Sequence, residues 1–225
     1  MSWIVRLIKS SLGAKYVMAI TGVGLFLFLV GHVAGNLLLF FGPEAMNNYA
    51  AGLRKLPYGL LWIARIGLVF TFGFHIAIAY YLTAGNRTAR PVGYQNKKYM
   101  KASYASRTMP MTGTIVLFFL LYHLAHYTFR IVNNTGELVD STGLDDVYSM
   151  VVQGFQQPII SLLYLTAMLV LGFHLQHGLS SLFQSLGLNH SKYNLLLRKG
   201  FPALGWIVVL AGASIPLAVL SGLIK

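Results

Sequence analysis

The sequence predicts an all-α membrane protein with five transmembrane helices. Three observations carry that expectation: 56% of the 225 residues are apolar, only 10% are charged, and the mean hydropathy is positive. Such a chain has too little polar surface for a water-soluble domain. The 17 Lys and Arg far outnumber the 5 Asp and Glu. The cations fall in clusters between long apolar runs rather than along one exposed face, so membrane lipid is the expected partner and no nucleic acid is. With no cysteine in the chain, a disulfide framework, a thiolate metal site and covalent cofactor attachment through Cys-x-x-Cys-His are all excluded.

A spanning helix needs about 20 mostly apolar residues, and five segments meet that length: 16–41, 56–84, 108–129, 157–183 and 201–223. The first follows Arg6, Lys9 and Lys15 without a small-residue cleavage site, so it is expected to be retained as a span. The loops 42–57 and 130–156 have room for short amphipathic caps, and 141–151 has the pattern of one. The loop 85–107 mixes Tyr94, Tyr99 and Tyr104 with six cations, the composition of an interfacial belt or of a docking surface. Five spans put the termini on opposite sides. Arg6, Lys9, Lys15, Arg87, Arg90, Lys97, Lys98, Lys101, Arg107, Lys192, Arg198 and Lys199 all fall on the amino-terminal side, which is therefore expected to be cytoplasmic, with the carboxyl end outside. All five acids (Glu44, Glu137, Asp140, Asp145 and Asp146) fall on the two opposite loops, with Arg54, Lys55 and Arg130 as the only cations there besides the terminal Lys225.

Polar side chains within a bilayer are costly and mark function, and imidazole is the commonest metal ligand among side chains. Of seven histidines, His190 lies in a loop, and His32, His75, His123, His126, His174 and His177 lie in spans. A lone membrane histidine is more often an interhelical hydrogen-bonder, but here four helices carry one. His32 is fifteen residues beyond Val17 and His123 fourteen beyond Met109, roughly 22 and 21 Å from the cytoplasmic edge at the helical rise. His75 is seven residues before Leu82 and His174 nine before Phe183, roughly 10 and 14 Å from the same edge. Two histidines facing each other at one depth meet the requirement of a six-coordinate, low-spin haem iron. Two such levels make an electron path across the membrane. The expected architecture is therefore a haem-binding four-helix bundle with a fifth, peripheral helix, forming one domain over residues 1–225. Gly31, Gly35 and Gly178 stand where a flat macrocycle would need a missing side chain, although close helix packing explains small residues equally well. His123 and His126, like His174 and His177, are three apart and only about 60° apart around a helix, so spacing does not choose between them.

The stretches FLVGHVAGNLLLFFGPEAMNNYA, FGFHIAIAYYLTA, LFFLLYHLAHYTF and FHLQHGLSSLFQSLG resemble the di-haem cytochrome b anchor of succinate dehydrogenases and fumarate reductases, the b558 type, over essentially the whole chain. The resemblance implies two haems b, with His75 and His174 ligating the one near the iron–sulphur subunit and His32 and His123 the one near the outer face. It implies flavoprotein and iron–sulphur partners on the cytoplasmic side of a bacterial inner membrane, and a quinone, commonly menaquinone, as electron partner. A higher oligomer of the complex is compatible with it. His126 and His177 fall outside the matched ligand positions. Some members carry an acid two positions before the fourth-helix ligand, and that position here is Gly172, which puts a proton pathway along that helix in doubt.

Two further residues join the candidate set. Glu44, just after the first span in PEAMNNY, lies near the level of His32 and is a candidate proton acceptor for a quinol; an ordinary exposed loop acid is the alternative. Arg65 lies ten residues before His75, about 15 Å outward of it. A buried cation needs a partner, and since the spans contain no Asp or Glu, a haem propionate is the expected one; snorkelling to the outer surface is the alternative. Two other functions fit paired membrane histidines: a haem b subunit of a hydrogenase or formate dehydrogenase, and a proton-coupled transporter or structural anchor that binds no iron.

Overall fold

In hydrocarbon every backbone N–H and C=O must find its partner within the protein, so an apolar run long enough to cross becomes a helix. The computed structural model describes residues 10–89, 102–132, 138–188 and 190–225. Among them, five helical segments are long and apolar enough to span: Ser11–Phe41, Pro57–Thr88, Tyr104–Thr128, Pro158–Ser185 and Leu196–Leu220. Arg6, Lys9, Arg90, Tyr94, Lys97, Lys98, Tyr99, Lys101 and Glu137 lie outside the described residues.

The regular elements run α1 (Ser11–Asn36), α2 (Pro43–Arg54), α3 (Leu60–Thr88), α4 (Tyr104–His123), α5 (Val147–Phe155), α6 (Pro158–Ser185) and α7 (Phe201–Leu220). Starts are set by caps. Ser10 accepts from Gly13 N–H, and Ser103 from Ser106 N–H, so α1 and α4 begin five and four residues before the starts expected from the sequence. α3 begins at Leu60 rather than 56 because Tyr58 and Gly59 are both left-handed (φ +56° and +65°) and turn the chain into the span. It continues past Ala84 to Thr88, whose hydroxyl donates back to the carbonyls of Ala84 and Gly85. The π turn Leu124–Thr128 extends α4, and Arg130 at φ +55° ends that span.

Small residues let α6 and α7 approach closely. Gly172 of α6 receives the Trp206 indole, and Gly205 of α7 receives Leu179 and Leu175, so each helix offers a notch to the other. α7 lies beside the histidine-bearing spans, along α6 and against α1, burying Val208, Val209, Ala213, Ile215, Ala218 and Val219. α3 runs along α1 and meets α4 through a 2.8 Å hydrogen bond between Tyr80 and Thr114, yet no residue of α3 is buried. Its exposed Ile63, Ile66, Val69, Phe70 and Phe74 suit contact with acyl chains. On α4, Tyr104 packs edge-on against Phe173 of α6.

The side of the bundle away from the amino terminus is closed by α2 and α5. The cap expected over 141–151 forms instead at 147–155. Residues 140–144 make a tight turn, in which the Asp140 carboxylate accepts from Thr142 N–H and hydroxyl and from Leu144 N–H, with Gly143 at φ +80°. Asn47 of α2, only 2% exposed, joins the two caps: its amide donates to Asp140 and Asp146, and its carbonyl accepts from Tyr148 N–H at 3.0 Å. Arg54 and Arg130 both bind Asp145. Burial pushes the Asp145 carboxyl up, but the two guanidiniums outweigh it and hold it below the ordinary carboxylate range. Leu39, Met46, Val151, Val152, Phe155 and Ile160 form the apolar core beneath. The Tyr148 hydroxyl reaches the carbonyl of Lys225, so the carboxyl end lies beside this cap.

Asn47→Ala would take one donor from each of two carboxylates and leave the Tyr148 N–H without its acceptor. It should destabilise the protein by about 1–3 kcal/mol, read as a lower Tm of the detergent-solubilised protein. A Tm equal to that of the parent would remove Asn47 from the role of cap hub.

Candidate functional site

The four spans α1, α3, α4 and α6 bring the candidate histidines into two groups at two depths. Toward the caps, the rings of His32 and His123 lie 5.7 Å apart, nearly perpendicular. Toward the amino-terminal side, His75 lies beside Thr21 of α1 and His174 beside Thr112 of α4. Among the described residues no cluster of three or more histidines and acids forms a chelate. A pair of axial imidazoles suits a metal whose other ligands come from a macrocycle.

Each of these rings is braced. Thr21 of α1 lies 3.1 Å from Nδ1 of His75, and Thr112 of α4 lies 3.4 Å from Nδ1 of His174. The glycine after each threonine touches the same ring: a Cβ on Gly22 would lie 3.6 Å from Cε1 of His75, and one on Gly113 would lie 3.3 Å from Cε1 of His174. Nδ1 of His123 lies 3.3 Å from the Tyr164 hydroxyl, and Nδ2 of Asn36 lies 3.4 Å from Nε2 of His32. In His75, His174 and His123 the braced nitrogen is Nδ1, which leaves Nε2 free for a metal, the usual outer arrangement around a ligating histidine; in His32 the Asn36 amide lies by Nε2 instead. The paired imidazoles and their braces fit the donor set of two bis-imidazole haems.

The structure separates His123 from His126, which spacing alone does not. His126 is 3% exposed, stacks on Tyr127 at 4.0 Å and bonds through Nδ1 to Tyr164 at 3.0 Å. Its ring also lies against Gly154 of the cap helix. The π turn that carries it is a frequent feature of functional sites. His123, not His126, faces His32. Of the glycines expected against a flat group, Gly31 and Gly178 meet no neighbour within 4 Å, whereas Gly35 is packed against the Tyr49 ring of α2 and serves the cap. Glu44 is exposed in the first turn of α2, where a helix amino end favours negative charge. Arg65 is exposed, with its guanidinium 5.0 Å from the Trp62 ring.

The braces Thr21, Thr112 and Tyr164 were missed by sequence reasoning, although a signal existed. Thr-Gly precedes His32 and His123 by the same interval, Thr21-Gly22 in the first span and Thr112-Gly113 in the third.

Fold and site together define a multi-pass helical membrane protein with paired histidines inside the bundle. Residues 86–214 match the family model of the succinate dehydrogenase/fumarate reductase transmembrane subunit, and the chain belongs to that family. The matched region holds His123 and His174 and begins after His32 and His75. No curated relative and no solved structure matches the chain.

Tyr164→Phe removes the hydroxyl shared by His123 and His126. It leaves buried Nδ1 of His126 unpaired, and should cost about 1–3 kcal/mol in thermal unfolding. A wild-type melting curve for this variant would contradict the bracing role.

Proposed function

We propose that this chain is the quinone-reactive anchor of a succinate:quinone oxidoreductase. It binds one haem b between His75 and His174 and another between His32 and His123. The observation that carries the reading is that two imidazole pairs occupy two depths, with three of the four rings braced at Nδ1 by a hydroxyl from another helix. When bound, two low-spin bis-imidazole haems supply one-electron carriers at successive levels. The chain's own residues orient the ligands and seal the levels from water. The basic amino-terminal side then faces the cytoplasm, where the flavoprotein and iron–sulphur subunits dock, and the α2–α5 cap faces out. The quinone, menaquinone by the resemblance, reacts on the cap side.

Replacing His75 or His174 with leucine should remove or convert to high spin the haem nearer the iron–sulphur subunit and leave the other low-spin signal intact. Changing His32 or His123 should do the reverse, and changing His126 or His177 should leave both irons six-coordinate. Arg65, near the outer level, is assigned to an outer propionate, so Arg65→Gln in the same series should lower the outer haem's potential and spare the inner one's. Low-temperature spin-resonance spectra and redox titrations of the assembled complex read all of these. Loss of a low-spin signal in the His126 variant, with the signal kept in the His123 variant, would overturn the ligand choice. An unshifted outer potential would free Arg65 from its propionate.

Glu44, at the amino end of α2 on the same side, is assigned to proton release from the quinol. Glu44→Gln should slow quinol turnover and change its pH profile; turnover identical to the parent at every pH would exclude it.

A further inference from the structure

Thr21 and Thr112 each hold an imidazole from a different span, and they do so at matching places. Thr21 lies eleven residues before His32, and Thr112 eleven before His123, roughly 16 Å of helix in each case. That interval carries each helix from one histidine level to the other. α1 and α4 thus each ligate at the outer level and brace at the inner one.

The hydroxyls have one proton each, and in both cases it is already used. Thr21 donates to the carbonyls of Val17 (2.7 Å) and Met18 (3.1 Å), and Thr112 donates to that of Met109 (3.1 Å). With the hydroxyl proton on the helix carbonyl, each threonine oxygen accepts from the imidazole, which places the ring proton on Nδ1 of His75 and of His174. The lone pair is left on Nε2. The glycine that follows each threonine brings helix backbone against Cε1, so the Nδ1–Cε1 edge of each ring rests on a Thr-Gly step and the Nε2 edge stays clear of it.

We infer that Thr21 and Thr112 are a matched pair of positioning residues that fix the tautomer of both inner ligands and set the potential of the inner haem. The inference rests on the haem assignment proposed above. A proton on Nδ1 shared with an acceptor makes the ligand more basic and favours the oxidised iron. Because the two threonines act on opposite axial ligands of one iron, their effects fall on the same redox component and have the same sign.

The test is a redox titration of the purified complex, followed at the reduced b-type absorption band, for Thr21→Val, Thr112→Val and the two serine variants. The inner component is the one missing from the His174→Leu complex. Each valine variant should raise the inner component's potential, increasing its reduced-to-oxidised ratio at fixed poise roughly tenfold, about 59 mV for one electron. The outer component should not move, and each serine variant should titrate like the parent. If a valine variant does not assemble, the alanine variant at that position, which adds no methyl against the ring, carries the same expectation. Unchanged inner potentials in the variants of both threonines would overturn the inference. So would equal shifts of both components, or the two threonines moving different components. A parent complex with no b-type bands would instead defeat the haem assignment itself.

Discussion

A ring nitrogen placed in hydrocarbon has no water to bond, and each of the four candidate ligand imidazoles has a hydroxyl or amide beside a ring nitrogen. For three of the four candidate ligands that group is on another helix: Thr21 for His75, Thr112 for His174, Tyr164 for His123. These bonds fix more than ring orientation. They tie α1 to α3 and α4 to α6, which fixes how far each span slides along its neighbour. Without that registry two histidines thirty or more residues apart would not share a depth. Polar satisfaction inside the membrane and placement of the candidate ligands are therefore the same structural event.

The chain is built as span, cap, span, twice over, with α7 added. α1, α2 and α3 form the first unit and α4, α5 and α6 the second, each with a Thr-Gly step followed by a histidine on its first span and a histidine facing that step on its last span. Polar bonds join the two units at the caps, through Asn47 and the Arg54–Asp145–Arg130 group, and within the spans between Tyr80 and Thr114. Asp140, Asp145 and Asp146 are all taken up by these structural contacts. Glu44 is the one acid of the described cap without such a bond there, which is why a reactive rather than structural role is assigned to it.

The spans and the level of each histidine were legible because both follow from counting: length against bilayer thickness, and rise per residue against depth. Ends were less so. The start of α3 depends on left-handed backbone at Tyr58 and Gly59, and the cap at 147–155 on an Asp140 side chain that turns the chain before the helix begins. Neither produces a hydropathy signal. That His123 rather than His126 faces His32 lay beyond helical spacing, because the ring of His126 lies against Gly154 of the cap, on a segment separate in sequence. The Thr-Gly braces had a readable interval, yet threonine in a span is usually spent on its own helix, as Thr166 is on the Leu162 carbonyl. Only the neighbour's ring distinguishes the two uses.

Gly172 shows how a local packing choice constrains chemistry. It lies two residues before His174, at the position where the resemblance would allow an acid, and the Trp206 indole fills the space a Cβ would take. An aspartate or glutamate there would have to displace the indole and separate α6 from α7 along their closest contact. None of the five spans holds an Asp or Glu elsewhere. A chain of carboxylates along α6 is therefore excluded by the same notch that packs the fifth span. Of the polar groups within the spans, Thr21, Thr112 and Tyr164 hold imidazole rings in place, and Thr71, Thr83, Thr114 and Thr166 bond carbonyls of their own helices. On the function proposed above, such an interior would carry electrons across the membrane, with proton chemistry left to groups such as Glu44 at its rim.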